Sequence, residues 1–375
     1  MQVVFVSNYI NHHQLPLSDA LYERLSDDYI FLQTEEMAAE RVNMGWDPDA
    51  ALRPYVRKYY EDKEGCSRLL LEADCVIMGG AEDEEIIIPR LEQGLFTIRY
   101  SERIYREGRW KFVSPRGLKK KYHDHIRFRK SPVYLLCAGA YVAGDFRLIH
   151  AYPGKKMKFG YFPEFIVYDD LDELRRNNVR VEILWVARFI SLKQPEMMIM
   201  LAADLLKKNF DFHITMIGDG PLLEPMKKDV ENKGLSEYIS FDGSKKPQEV
   251  REAMRKADIF VFTSTHLEGW GAVLNESMNS GCFVLAPKQV GAAPYLISDG
   301  ENGLIFNCRS DVELSKKVAD AIKDEKKRKW LAHNAYETIK NTWNAKVAAD
   351  RLLKFMEDPE HKIPPYEDGP MSKEK

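Results

Sequence analysis

ADIFVFTSTHLEGWGAVLNESMNSGCFVLAPKQVGAAPYLISDGENGLIF, residues 257–306, is the stretch that decides the fold expected for this sequence. It contains two short apolar runs, 259–263 and 283–286, which have the length and composition of parallel strands covered on both faces. The segment 273–279 lies between them and is predicted to be helical. Strand, helix and strand in this order are typical of an α/β layer with a parallel sheet.

The same alternation extends through the second half of the chain and recurs, less regularly, in the first half. In the second half, further strands are predicted at 182–186, 213–217 and 239–241, and helices at 195–208, 222–233 and 247–256. In the first half, strands are predicted at 3–7, 29–33, 75–78, 95–98 and 133–137, and a helix at 15–25. Two such sets in a chain of 375 residues predict two similar doubly wound α/β domains.

Composition along the chain sets the expected domain boundaries. Residues 1–165 form the N-terminal domain and residues 166–345 the C-terminal domain, with a charged connector at their junction. Residues 346–358 have apolar residues at helical spacing and are predicted to form a helix that crosses back to the N-terminal domain. Residues 359–375 are rich in Pro and Lys and are expected to be disordered.

Charge and cysteine usage exclude several classes of protein. The 55 Lys and Arg against 58 Asp and Glu give a net charge of −3, so no global basic excess indicates a nucleic-acid partner. The five cysteines are scattered without a CxxC pair, which favours a reducing cytosol over a disulfide framework or a zinc site. No run approaches the roughly 20 apolar residues of a membrane helix. We expect a cytoplasmic protein.

The polar loop and helix of the quoted stretch carry the strongest indication of a ligand site. Its glycines let backbone N–H groups of Gly269, Trp270, Gly271, Ala272 and Val273 approach an anion closely, beside the start of a helix. Glu268 in the loop and Glu276 in the helix are placed to face one cleft, which suits recognition of a polyhydroxylated ligand. The alternative is a pair of surface glutamates that stabilise the helix N-terminus.

Two other loops follow predicted strands of the same half. Arg188 and Lys193 leave the strand at 182–186, where two cations can bind a diphosphate, unless they are simply solvated. Gly218 and Gly220 follow the strand at 213–217 and imitate the start of a dinucleotide fingerprint, but Leu223 occupies the third glycine position. A tight strand-to-helix turn is the alternative for these glycines.

In this order, these segments resemble the donor-binding half of retaining GT-B glycosyltransferases of glycosyltransferase family 4, of the kind that acts in capsule and exopolysaccharide synthesis. The resemblance covers residues 181–306 and includes Gly218-Asp219-Gly220-Pro221, the FDG that ends at Gly243 and GENGLIF at 300–306. It implies the GT-B fold, in which two Rossmann-like, doubly wound parallel-sheet domains face each other across a cleft. It also implies transfer with retention of the anomeric configuration, without a cofactor or a metal ion.

The resemblance assigns roles to individual residues. Arg188 and Lys193 would bind the donor diphosphate and stabilise it as the leaving group. Glu276 would hold the nucleotide ribose and Glu268 the hydroxyls of the transferred sugar, with Gly218, Gly220 and the backbone amides around Gly271 and Ala272 completing the donor site.

The first half resembles the family less. Its loop after the first strand carries Asn11, His12 and His13 in place of glycines. These side chains are candidates for contacts to the acceptor or to the diphosphate. The alternative is that one of the two histidines is the residue at which a helix starts. Glu102 takes the place of the histidine that many family members have after the middle strand. Either Glu102 or a loop histidine then serves the acceptor side.

The segment 103–130 carries a local charge that the net charge conceals. Its eleven Lys and Arg against two acids give it a net charge of +9, and aromatic residues are interleaved with the cations. Such a segment suits an anionic membrane surface, the alternative being a solvated surface. No nucleic-acid recognition motif accompanies it.

The function expected from sequence is transfer of a sugar from a nucleotide-diphosphate sugar to a glycan or lipid-linked acceptor, in capsule, exopolysaccharide or lipopolysaccharide synthesis. The protein would be cytoplasmic and peripheral on the inner face of the plasma membrane. The alternatives are a GT-B sugar-nucleotide epimerase or hydrolase, and a non-catalytic sugar-nucleotide-binding protein.

Overall fold

The computed structural model describes residues 1–43, 46–81, 83–108, 112–176 and 178–374. The chain divides into two compact units. Unit 1 comprises Met1–Glu164 and Trp343–Lys375, and unit 2 comprises Phe165–Thr342. Each unit is a doubly wound α/β domain built on a parallel sheet, which confirms the predicted fold class.

Unit 1 is built on seven strands in the order β3-β2-β1-β4-β5-β6-β7. The strands are β1 (Val3–Ser7), β2 (Tyr29–Gln33), β3 (Val56–Lys58), β4 (Cys75–Met78), β5 (Thr97–Ser101), β6 (Val133–Ala138) and β7 (Lys156–Phe159). The helices that precede unit 2 are α1 (Leu15–Leu25), α2 (Ala39–Asn43), α3 (Lys63–Glu72), α4 (Ile88–Glu92), α5 (Pro115–Asp124) and α6 (Val142–Leu148). Every residue of β1, β2 and β4 is buried, because helices cover both faces of a parallel sheet.

Unit 2 has six strands in the order β10-β9-β8-β11-β12-β13. They are β8 (Val181–Val186), β9 (Phe212–Ile217), β10 (Ile239–Phe241), β11 (Ile259–Val261), β12 (Phe283–Pro287) and β13 (Leu304–Phe306). Its helices are α7 (Glu196–Lys207), α8 (Leu223–Asn232), α9 (Pro247–Lys256), α10 (Val273–Asn279), α11 (Ala293–Leu296), α12 (Asp311–Lys323) and α13 (Glu325–Asn341). In both sheets the order of the strands reverses beside the first strand of the unit, and ligands of such sheets bind at that point, outside the carboxyl ends of the strands.

The sequence pattern missed three strands and misplaced one. The strand predicted at 95–98 is β5, Thr97–Ser101. The strands β3, β7 and β13 were not predicted, because each has only three or four residues and none is a continuous buried run.

The connector to unit 2 is anchored by a buried arginine. Arg175 donates hydrogen bonds to the carbonyl oxygens of Ala257 at 2.7 Å and Ser280 at 2.6 Å, and to two further carbonyls at 2.8 and 3.3 Å. The charged connector is therefore part of the packing of unit 2.

The end of the chain returns to unit 1. The last helix, α14 (Ala345–Glu357), packs against α1, and Arg24 forms an ion pair with Asp350. The expectation of a disordered tail at 359–375 differs from the structure: Met371 is buried, its N–H donates to the Lys158 carbonyl, and Lys158 N–H donates to Ser372, both at 2.8 Å. The tail orders because it pairs with the open edge of β7, which composition alone does not reveal.

Candidate active site

The loop after β8 is shaped by the two glycines that follow β9. Gly218 and Gly220 have φ of +142° and +149°, and a Cβ on them would lie 1.9 Å from the Ala187 carbonyl oxygen and 2.6 Å from that of Phe189. Phe189 N–H donates to the Asp219 carbonyl at 2.8 Å. The glycines therefore serve the close approach of two backbones, and the turn they form supports the loop that carries the exposed Arg188.

The segment after β11 is tied to the same loop. Thr263 donates from its hydroxyl to the Lys193 carbonyl at 2.6 Å and accepts from the indole N–H of Trp185 at 2.7 Å. Thr265 N–H donates to the Leu192 carbonyl at 2.9 Å. These bonds fix the backbone of Lys193 at the carboxyl ends of two adjacent strands.

Lys193 and Glu268 form an ion pair in which each side chain is 15% exposed. The Ser264 hydroxyl donates to the same Glu268 carboxylate oxygen at 3.0 Å. The fold thus brings into contact two residues that are 75 positions apart and were both predicted at the donor site. The pair presents an ammonium and a carboxylate whose orientations are set before any ligand arrives.

The side chain of Trp270 lies in the core of unit 2. Its side chain is 1% exposed and its indole N–H donates to the Asn275 carboxamide at 2.9 Å, so the ring belongs to the core and only its backbone remains available to a donor. Gly271 has a φ of +94°, and a Cβ there would lie 2.6 Å from the Phe262 ring. Gly271 therefore keeps the start of α10 close to the end of β11.

Glu276 lies in the first turn of α10. Burial raises the pKa of its carboxyl above the usual value, and the positive charge of Arg251 opposes that rise. Within the described residues, no side chain or backbone N–H donates to the carboxylate. A ligand hydroxyl that donates to Glu276 would favour its ionised form.

Unit 1 has a cavity of about 440 Å³ at the carboxyl ends of its central strands. The predicted residues Asn11, His13 and Glu102 line it, and His12 does not. Tyr161 donates from its hydroxyl to the Glu102 carboxylate at 2.6 Å, and Arg106 lies 3.5 Å from the other carboxylate oxygen. Glu102 is thereby held at the cavity wall.

The two loop histidines are neutral at physiological pH. Burial lowers the pKa of His12 to about 4, and burial together with His12 lowers that of His13 to about 3. The helix-start alternative is wrong for both, because α1 begins after Gln14. Asn11 accepts the His13 backbone N–H at 3.0 Å, so its side chain stabilises the loop.

Most residues of this cavity were not predicted from the sequence. Trp46, Arg99 and Tyr161 line it from the segment after α2, from β5 and from the segment after β7. Their segments are distant in sequence, and only the strand order brings them together, so no local motif signals them.

Some of the acidic residues that could attract a metal ion already have other partners. Two Asp-x-Asp strings, at 47–49 and 170–172, form turns: Asp47 and Asp170 each accept the backbone N–H two residues on, at 2.9 Å. A group formed by Glu84, Asp124 and His125 has ligand atoms within 4.8 Å of one another. However, Arg99 lies 2.7 Å from Glu84 and Lys120 lies 3.0 Å from Asp124, so cationic side chains occupy both carboxylates.

The basic segment 103–130 is partly structural and partly exposed. Arg109, Trp110 and Lys111 lie outside the described residues. Arg103 pairs with the buried Asp145 at 3.1 Å, which removes one cation from the surface. Among the described residues of this segment, the exposed cations with no ion pair are Arg116, Lys119, Arg129 and Lys130. Val113 and Tyr122 are exposed beside them, at 70% and 58%.

Within the described part of the chain, no helix has the length and apolarity that a membrane crossing requires.

Comparison with known proteins identifies the type of domain in unit 2. Residues 169–338 match the family model of glycosyl transferases group 1. An uncharacterized glycosyltransferase of Methanocaldococcus jannaschii is 31% identical over 184 residues, which are 47% of this chain and 51% of that protein. A Campylobacter jejuni GalNAc-α-(1→4)-GalNAc-α-(1→3)-diNAcBac-PP-undecaprenol α-1,4-N-acetyl-D-galactosaminyltransferase is 29% identical over 162 residues, 42% of this chain and 43% of that protein.

The chain spans about half the length of these curated relatives. The solved structure of HepE from Anabaena in complex with UDP is similar over 94% of this chain and 99% of that chain, with a TM-score of 0.72 and 14% identity. At that identity the likeness shows the fold alone. Residues 169–338 therefore match the glycosyl transferases group 1 family, in a chain with the GT-B fold.

Proposed function

We propose that this chain is a glycosyltransferase that moves a sugar from a nucleotide-diphosphate sugar to a hydroxyl of a glycan or lipid-linked acceptor, with retention of the anomeric configuration. The observation that carries the proposal is the contact of Lys193 with Glu268 at the carboxyl ends of β8 and β11. Both residues lie in the segment that matches the glycosyl transferases group 1 family.

The proposed mechanism uses the charges of unit 2 on the donor. Negative charge develops on the diphosphate as it leaves, so cations fixed beside the diphosphate stabilise the transition state most. Lys193 and Arg188 would supply these cations. Glu268 would accept hydrogen bonds from hydroxyls of the transferred sugar and Glu276 from the ribose. The acceptor hydroxyl would attack from the face that the diphosphate leaves, which retains the configuration.

Unit 1 would bind the acceptor. Glu102 is held by Tyr161 and lines a cavity large enough for a small ligand, since such sites occupy roughly 300–1,000 Å³. We place Glu102 at the acceptor hydroxyl for this reason. The Campylobacter jejuni relative is named for a lipid-linked acceptor, which supports a similar class of acceptor here, in capsule, exopolysaccharide or lipopolysaccharide synthesis.

Neither a cofactor nor a metal ion takes part in the proposed reaction. The cationic side chains Lys193 and Arg188 would do what a divalent cation does in metal-dependent transferases. Addition of EDTA should leave the transfer rate unchanged, and a rate restored only by added Mg²⁺ or Mn²⁺ would contradict this part of the proposal.

The test is a transfer assay with UDP-, GDP- and ADP-sugars and a mixture of glycan and lipid-linked acceptors, followed by proton NMR of the new anomeric centre. We expect a product with the anomeric configuration of the donor. Turnover of donor without acceptor would instead indicate an epimerase or hydrolase, and donor binding without any product would indicate a binding protein.

Two variants and one control link that activity to the site. Lys193→Ala and Glu268→Gln should each lower kcat by about 10²–10³, the usual effect of removing one group that stabilises the transition state. Lys228→Ala removes an exposed cation of α8 and should have no effect. Transfer that survives both site variants would overturn the assignment of Lys193 and Glu268.

A further inference from the structure

The cavity of unit 1 contains two buried polar atoms that the protein leaves unsatisfied. Within the described residues, His13 Nδ1 and Arg99 Nε have no hydrogen-bond partner. Both residues line the same cavity, and Arg99 is only 4% exposed. Buried polar groups without a partner are rare and costly, so two of them at one cavity indicate that a polar ligand or water satisfies them.

The guanidinium of Arg99 is held by two hydrogen bonds. One of its terminal nitrogens donates to Glu84 at 2.7 Å and the other to the Asp124 carbonyl at 2.7 Å. These bonds hold the guanidinium plane and leave its Nε–H without a partner. Arg99 is thus a positioned donor whose positive charge is balanced by Glu84.

Aromatic side chains form much of the remaining wall. Trp46 lies edge-on to His12 at 4.8 Å between ring centroids, and the Arg41 guanidinium lies 4.9 Å from the Trp46 ring centroid. The His13 ring stacks on Tyr161 at 6.3 Å and 13°. Aromatic faces with a few placed polar atoms are typical of small-molecule sites, and the C–H face of a pyranose packs well on such rings.

The charges of the described lining residues cancel. Arg41 and Arg99 are balanced by Glu84 and Glu102. His13 adds no charge at physiological pH, because burial lowers its pKa to about 3. The lining therefore has no excess positive charge that would favour binding of a phosphate or carboxylate. A neutral polyhydroxylated ring can bind without such a charge.

We propose that the cavity binds a neutral pyranose, with Trp46 packed on the sugar ring and with Arg99 Nε–H and His13 Nδ1 hydrogen-bonded to its hydroxyls. The sugar would be the terminal residue of the acceptor, a role that rests on the proposed function. The binding itself depends only on the residues of unit 1.

The test is saturation-transfer NMR on the full chain without donor. The probes are the methyl α-glycosides of glucose, galactose, mannose, N-acetylglucosamine and N-acetylgalactosamine, with α-glucose 1-phosphate as the anionic comparison. At least one neutral glycoside should bind more tightly than the sugar phosphate. His13→Phe keeps the stacked ring and removes Nδ1, and it should weaken that binding about tenfold or more, as should Trp46→Ala.

Arg99→Lys serves as a second probe, because it keeps the positive charge and loses Nε–H. It should weaken glycoside binding, and because it also loses the guanidinium bonds to Glu84 and Asp124 its melting temperature should fall, so binding is measured well below that temperature. An exposed lysine variant, Lys63→Ala, should leave glycoside binding unchanged. Loss of folding in one variant does not remove the test, because the three variants act on separate elements.

Three results would overturn the inference: no neutral glycoside binds, the sugar phosphate binds as tightly as the best glycoside, or His13→Phe and Arg99→Lys bind normally. The first would leave water as the partner of the two atoms. Failure here is distinguishable from failure of the proposed function. Nucleotide-sugar binding and transfer that depend on Lys193 would persist if only this inference were wrong.

Discussion

At the residue scale, the donor-side assignments depend on side chains that parallel-sheet topology brings together. Lys193 and Glu268 follow different strands, and ligand sites of doubly wound sheets lie where such strands end. Sequence order and the resemblance therefore predicted both residues at one donor site, and the structure adds the contact between them. The burial of Trp270 was not predictable, because a tryptophan between two glycines has no local sign of whether its ring points into the core.

Glu276 gives a prediction about pH. Ribose hydroxyls would donate to the ionised carboxylate, while burial favours the protonated form and raises its pKa. Donor affinity should therefore fall as pH drops through that raised pKa, starting at a higher pH than for an ordinary carboxyl. Calorimetric titration of the donor as a function of pH measures this dependence.

Glu276→Gln is the matched variant. It should lose about 1.5–3 kcal/mol of donor binding, roughly tenfold to a hundredfold, and abolish the acidic pH dependence. Because the pKa of Glu276 is raised in the folded state, its ionised carboxylate destabilises the fold once the pH rises above that pKa. Without ligand, Glu276→Gln should therefore melt at a higher temperature than the wild type at neutral pH. A donor affinity equal to that of the wild type would exclude Glu276 from the site.

At the element scale, strands with continuous apolar runs were predictable and edge elements were not. The buried runs of β1 and β4 coincide with their predicted bounds. In contrast, β3 is a partly exposed strand of three residues, and the C-terminal tail orders by pairing with β7. Such elements owe their order to a partner strand, which no local pattern encodes.

The turn after β9 gives a prediction about the loop that carries Arg188. Gly220→Ala would place a Cβ 2.6 Å from the Phe189 carbonyl oxygen, and the backbone must shift to accommodate it. We expect a loss of about 1–3 kcal/mol in the free energy of unfolding and weaker donor binding. Chemical denaturation and donor titration measure the two effects.

Gly234→Ala is the control for Gly220→Ala. Gly234 also has a positive φ, +66°, but a Cβ there would meet nothing within 4 Å. Its substitution should cost only the strain of the backbone conformation and leave donor binding unchanged. Equal effects of the two variants on donor binding would refute the role of the Gly220 turn in supporting the loop.

The connector before β8 gives a second prediction at this scale. Arg175→Ala removes four hydrogen bonds to buried carbonyls and should destabilise unit 2 by on the order of 3 kcal/mol. The neighbouring Arg176 is exposed, so Arg176→Ala should change the free energy of unfolding by less than about 0.5 kcal/mol. Similar unfolding curves for the two variants would show that Arg175 does not anchor the connector.

At the scale of the whole molecule, the net charge of −3 conceals the exposed cations of α5 and its neighbours. We propose that this surface contacts anionic lipids. The protein should float with anionic liposomes at low salt and be released as salt screens the cations. The triple variant Arg116→Glu, Lys119→Glu and Lys130→Glu should weaken binding by at least about 3 kcal/mol, roughly a hundredfold, at about 1 kcal/mol per cation.

A second triple variant controls for net charge. Lys228→Glu, Lys316→Glu and Lys326→Glu change the charge equally on exposed positions of unit 2 and should leave flotation intact. Flotation that is absent for the wild type at low salt, or lost equally in both triple variants, would remove the membrane proposal.

The central claim is that unit 2 binds a nucleotide-diphosphate sugar through Lys193. The most direct measurement is a thermal-shift titration of the full chain with UDP-, GDP- and ADP-sugars. One nucleotide class should raise the melting temperature in proportion to the logarithm of its concentration over its dissociation constant, and Lys193→Ala should remove the shift. No shift with any of the three, or an equal shift in Lys193→Ala, would contradict the claim.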